Sequence, residues 1–327
     1  MTKRILTILL MTAVLFAAAG CAEGTRTVRL QEVTHSVFYA PQYAAIELGY
    51  FEEEGIKLEL TNAGGADKAM AALLSGQSDI AFCGPEAAVY VHNEGRKDGV
   101  VVVGQLTIRD GAFLLGREPR EDFAWSELRG KSVIGGRKGG APCMALERAI
   151  RNHGMEPGVD VDVMTHVQFN LMGGAFAGGE GDYVTLFEPA ATQAVAEGYG
   201  HILAAVGDSA GEIAYTCYMV PQSSLKKNAD MIEGFLRALY RGQRYVAEHS
   251  ALEVAQVIAP SFPDTDVQTL EQVVQRYRSI GAWTETPLVQ AESIEALMDI
   301  MQDAGELERR APVDDIIDNT IAEKAMK

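Results

Sequence analysis

The stretch from His35 to Glu86 reads strand, helix, strand, helix, strand when its preceding residues are included, and that order constrains the fold more than any other feature of the chain. Val28 to Val33 alternates as a strand does; Pro41 then pre-sets the first turn of a helix, and Gly49 stands where that helix should stop. Ile56 to Leu60 is the next strand. Ala66, Ala69, Met70, Leu73 and Leu74 recur with the period of an amphipathic helix closed by Gly76. Ser78 to Phe82 reads as a third strand, and Gly84-Pro85-Glu86 opens another helix. Strands linked by helices in this way pair in parallel. Their loops, His35 to Ala40, Asn62 to Ala66 and Cys83 to Glu86, then reach one edge of the sheet, where open α/β sheets bind ligands.

Val100 to Leu106 is a continuous apolar run, as expected of a strand buried on both faces. The break at Arg109 to Ala112 predicts a crossing into a second lobe, with strands at Phe113 to Gly116 and Ser132 to Ile134. The glycine-rich turn Gly135 to Pro142 follows and feeds a helix in which Cys143, Leu146 and Ile150 share a face, ended by Gly154. Backbone N–H groups at such a helix start suit an anionic or strongly polar group, although a tight turn with no ligand has the same sequence. The spacing fits neither a P-loop nor a dinucleotide fingerprint.

Further strands are expected at Asp162 to Val167 and Asp182 to Thr185, with a short helix from Leu171 to Ala177 between them. Glu188 with Pro189 marks another helix start, where the carboxylate either caps free N–H groups or accepts hydrogen bonds from a ligand. Gly207-Asp208-Ser209-Ala210-Gly211 matches the nucleophile pattern G-x-S-x-G, which needs a helix directly after the serine. Ile213 to Val220 reads instead as a strand, so a hairpin-like turn is expected, followed by the second crossing. From Gln222 onward the apolar residues keep a helical period and form packing stripes.

Lys3 and Arg4 precede an apolar run, Ile5 to Ala19, that is too short and wrongly flanked to span a membrane; residues 1–20 read as a secretory signal. Ala18-Ala19-Gly20-Cys21 has the form of a lipoprotein cleavage site, with Cys21 as the lipidated residue. The roughly 300 residues that follow suffice for two domains. The chain has 28 basic against 45 acidic side chains, and such an acid surplus argues against nucleic acid and anionic lipid as partners. Cys83, Cys143 and Cys217 make an odd count, which in an exported protein is not a disulfide framework, and no Cys or His spacing suits a metal.

The segments SVFYAPQYAAIELGYFEEEGIKLEL, ALLSGQSDIAF and LFEPAA resemble the extracytoplasmic solute-binding proteins of ABC importers, in the group that binds sulfonates, nitrate and the pyrimidine precursor of thiamine. The resemblance covers nearly all of the chain after the leader. It implies the periplasmic binding protein type II fold, two α/β lobes joined by two crossing strands with the ligand between them. Lobe one is expected at 26–108 plus 221–327 and lobe two at 112–213, closing about a hinge on binding. It also implies a permease and an ATPase as partners, with the protein anchored outside the cell membrane through Cys21.

For the ligand, the ring faces of Phe38, Tyr39 and Phe187 and the carboxylate of Glu188 suggest a pyrimidine-like nitrogen heteroaromatic. Ser36, Gly84, Glu86, Lys138, Gly139 and Gly140 complete the expected set. An aliphatic sulfonate held by Ser36, Gly84 and Gly140 is the alternative. The fold group also includes a yeast-type pyrimidine synthase, whose cysteine-rich motif is absent here, and a sensory binding protein without a transporter is a further reading. No catalytic residue, cofactor or metal is expected.

Overall fold

The computed structural model describes residues 25–327, so the leader and Cys21 lie outside the described residues. The strands form two five-stranded sheets. In the first, β1 (Arg26–Glu32) is flanked in parallel by β2 (Ile56–Asn62) and β3 (Ile80–Cys83), while β4 (Val100–Thr107) and β3 each pair antiparallel with β10 (Thr216–Pro221). In the second, β6 (Ser132–Ile134) runs parallel to β7 (Asp162–Met164) and β8 (Tyr183–Leu186). There β5 (Phe113–Gly116) pairs antiparallel with β8 and β9 (His201–Ala205). The strands β3, β4 and β5 are buried along their whole length, which explains their unbroken apolar sequences.

The helices that matter below are α1 (Ala40–Glu47), α2 (Ala66–Leu74), α3 (Glu86–Asn93), α4 (Ala141–Asn152), α5 (Ala190–Ala196), α6 (Val206–Ala210), α7 (Ala229–Glu248) and α8 (Val267–Ser279). Helices α2 and α3 follow β2 and β3, as the alternation in the sequence predicts. The apolar stripe of α7, including Ile232, Phe235, Leu236 and Leu239, is fully buried. Gly242 lets α7 close on α1, because a Cβ there would overlap the Pro41 carbonyl oxygen.

The chain passes between the sheets twice, at 108–112 and again between β9 and β10. Two expectations change at the second passage. The strand read from Ile213 begins only at Thr216, and it belongs to the first sheet. The segment expected as a hairpin-like turn is α6, a five-residue helix. Gly207 sits directly on the Asp110 backbone of the first crossing, and Gly211 ends the helix at φ +92° and ψ −176°, a conformation open essentially to glycine alone. Both glycines of the G-x-S-x-G match are thus accounted for by backbone geometry. Ser209 lies inside the helix rather than at a strand-to-helix elbow. Its Oγ is 3.2 Å from His153 Nε2, in a ring stacked on Trp125.

Candidate functional site

The C-terminal ends of β1 and β3, the start of α2, the turn after β6 and the end of β8 converge on one cavity between the sheets, about 80 Å³ in volume. Tyr39, Phe169, Phe187 and Tyr215 supply aromatic surface; Gly84, Gly140, Ala141 and Pro142 supply backbone at close range. Two charged side chains line it, Glu86 from the first sheet's side and Arg137 from the second's.

Glu86 is the first residue of α3 and is 2% exposed. Its Oε1 accepts the Ala141 N–H of the opposite lobe at 3.3 Å, whereas Oε2 has no hydrogen-bond partner. A buried carboxyl with one unmet oxygen is costly when ionised. Burial pushes it up to about 7, against the pull of the Ala141 N–H and the Arg137 charge. Gly84 is needed beside it, since a Cβ there would overlap the Glu86 carboxyl.

A second buried carboxyl stands at the hinge. Asp110 accepts the Ala112 N–H at 2.6 Å through Oδ1, and burial raises its carboxyl to about 7. The Tyr215 hydroxyl is buried beside this carboxyl, and Tyr215 brings its ring to the cavity.

Of the ten residues expected at the site, Tyr39, Gly84, Glu86, Gly140 and Phe187 line the cavity. Ser36, Phe38, Lys138, Gly139 and Glu188 do not. Phe38 is fully buried behind it, with its ring 5.0 to 5.8 Å from those of Tyr39, Phe187, Tyr215 and Tyr277. Lys138 is turned outward to Glu306 at 3.6 Å, and the Gly139 carbonyl accepts the Tyr90 hydroxyl at 3.0 Å.

The role expected of Glu188 is corrected most sharply. Its carboxylate accepts the Thr192 N–H at 2.8 Å and the Thr192 hydroxyl at 3.0 Å, capping α5, and pairs with Arg276 of α8. The carboxylate is turned to these groups and does not line the cavity, so it is not placed to meet a ligand amine there. The backbone of Glu188 ties the lobes as well: its carbonyl accepts the Ser36 hydroxyl at 2.5 Å and its N–H donates to the Tyr277 hydroxyl at 3.0 Å. Of the alternative anion seat, Gly84 and Gly140 line the cavity, whereas the Ser36 hydroxyl donates to the Glu188 carbonyl and the neighbouring Ala141 N–H to Glu86.

Cys83, Cys143 and Cys217 are buried free thiols that do not line the cavity, and burial raises all three. Among the described residues, no group of three or more His, Cys, Asp or Glu is placed to hold a metal ion. No described helix is long and apolar enough to cross a membrane.

The profile of the family described as NMT1/THI5 like matches residues 37–251. Over 312 residues, 95% of this chain and 93% of the relative, the sequence is 42% identical to "Putative binding protein YtlA" of Bacillus subtilis (strain 168). The structure superposes on the alkanesulfonate-binding protein SsuA from Xanthomonas axonopodis pv. citri with a TM-score of 0.73 at 15% identity, covering 92% of this chain and 100% of that one. On the periplasmic nitrate-binding protein NrtA from Synechocystis PCC 6803 the TM-score is 0.73 at 15% identity, over 93% and 88% of the two chains. The desulfurization enzyme DSZB shares the architecture, with a TM-score of 0.64 at 12% identity over 92% and 98%. These structural likenesses concern the fold alone, and that fold is the two-lobed one expected from the sequence.

Proposed function

Because this chain belongs to the NMT1/THI5-like family, we propose that it is an extracytoplasmic solute-binding protein that hands a flat, amine-bearing nitrogen heterocycle to an ABC importer. The observation that carries the choice of ligand is Glu86 itself, a buried carboxyl with an unpartnered Oε2 that lines a cavity walled by aromatic rings. A ring amine or ring N–H donates to that oxygen while the ring packs on Tyr39, Phe169, Phe187 and Tyr215. A small anion meets the opposite situation. It must sit beside a buried carboxyl, at a helix start whose first N–H is already taken. The names of the structural relatives, a sulfonate and a nitrate binder, keep that alternative in the test.

The test is a thermal-shift screen of the purified protein against aminopyrimidines, other heteroaromatics and taurine-like sulfonates. A compound at a hundred times its dissociation constant adds about 2.7 kcal/mol to stability. Aminopyrimidines should raise Tm and be recovered unchanged, as befits a carrier rather than an enzyme. Stabilisation by sulfonates and by no ring compound sinks the heterocycle reading.

Cys21, outside the described residues, carries the lipid anchor in this reading, since one diacylglyceryl group supplies the two chains that stable anchoring requires. The native protein should therefore begin at a diacylated Cys21 by mass spectrometry. An unmodified N-terminus removes the anchor.

A further inference from the structure

The cavity does not end at the rings. Ala66, Glu86 and Arg137 line both the cavity and a neighbouring groove of about 260 Å³. That groove runs between α2 and α3 of the first lobe, on Met70, Ala71, Leu74, Ala87 and Val91. These residues give it an apolar floor beside Asp67, Tyr90 and Glu94, and its volume exceeds that of the cavity. Arg137, which lines both, reaches Asp67 of the groove: their charged atoms are 4.0 Å apart and both side chains are more than half exposed. An ion pair that long and that wet contributes little and is easily displaced.

We propose that cavity and groove form one binding site. On this view, which rests on the heterocycle reading above, the natural ligand is a ring compound bearing an apolar substituent of a few carbons. The ring enters the cavity with its amine on Glu86. The substituent passes under the Arg137 guanidinium and lies in the groove between α2 and α3. The groove then sets specificity among compounds that share a head group, by removing the substituent's surface from water.

The experiment compares 4-aminopyrimidine with 4-amino-5-butylpyrimidine by isothermal calorimetry, on the unaltered protein and on Ala71→Trp and Leu74→Trp, each of which places an indole over the groove. Ala71 is exposed and Leu74 only partly buried, so both variants are expected to fold, and thermal unfolding checks this. The butyl compound should bind the unaltered protein about tenfold more tightly, and at least one folded variant should erase that gain while leaving 4-aminopyrimidine unchanged. Equal or weaker binding of the butyl compound, or a gain that survives both folded variants, overturns the groove and leaves the ring reading standing. Failure of both compounds to bind removes the ring reading and the groove with it.

Discussion

Glu86→Gln should weaken 4-aminopyrimidine binding ten- to a hundredfold at pH 8. The expected loss is about 1.5 to 3 kcal/mol, the range for a hydrogen bond to a charged group. The same substitution should stabilise the protein in the absence of any ring compound. In the fold, burial holds this carboxyl at about 7 rather than at its ordinary value of 4.5. A carboxyl raised in this way favours the folded state fully below pH 4.5, and its contribution is lost as the pH climbs through 7. Above that, ionisation costs on the order of 3 kcal/mol, which a neutral glutamine does not incur. Denaturant titrations should therefore show the variant ahead at pH 8 and level with the parent below pH 4.5. Binding has the complementary dependence: an amine donor needs the ionised carboxylate, so parental affinity is constant above pH 7 and falls below it. A small anion reverses the first result, because removing the charge relieves repulsion. Tighter binding of an anion by Glu86→Gln, with no change for 4-aminopyrimidine, refutes this assignment of the acceptor.

Gly207→Ala should cost about 3 kcal/mol or more of stability. Gly207 starts the second passage between the lobes, and its α-carbon faces the first. An added Cβ would overlap the Asp110 carbonyl oxygen and lie 3.1 Å from the Asp110 N and carbonyl carbon. Backbone cannot rotate aside as a side-chain tip can, so the upper end of the overpacking range applies. Its φ is negative, which makes the cost one of space rather than of conformational strain. Urea unfolding measures it; a loss below about 1 kcal/mol would show that the two crossings separate easily at this point. The same contact explains the G-x-S-x-G match. The motif's first glycine is required by the neighbouring crossing, and Ser209 merely falls between two backbone requirements.

The lobes, the crossings and the edge where the ligand loops gather are all legible in local sequence, because the strand-helix alternation and the glycine punctuation are local signals. Orientation within a loop is not. Phe38 and Tyr39 are adjacent and both aromatic, yet only Tyr39 lines the cavity, while Phe38 fills the space behind it. Gly111 shows why, since its missing side chain is where the Phe38 ring lies. That is a contact 73 residues away, which no local pattern contains. The different surroundings of the two carboxylates expected at the site are hidden for the same kind of reason. Glu188 and Glu86 each stand at a helix start after a strand. Glu188 pairs with Arg276, which sits in a helix that reads only as a packing stripe, whereas Glu86 takes the Ala141 N–H from across the cleft on one oxygen and has no partner on the other. Tyr215 and Phe169 were missed as cavity walls because each reads as an ordinary strand or connector residue.

Among the contacts that join the lobes, two groups differ in their exposure to water. Glu188 with Arg276, Ser36 and Tyr277 forms a seam whose carboxylate is shut away from water. Arg137 with Asp67, Lys138 with Glu306 and Arg148 with Asp303 form a seam of ion pairs that water reaches at least in part. Dissolved ions reach the second and hardly touch the first. Under the carrier reading, brine should therefore loosen one edge of the cleft while the other stays fastened, so that a bound ring compound leaves modestly faster in salty surroundings than in dilute ones, with little change in the urea midpoint.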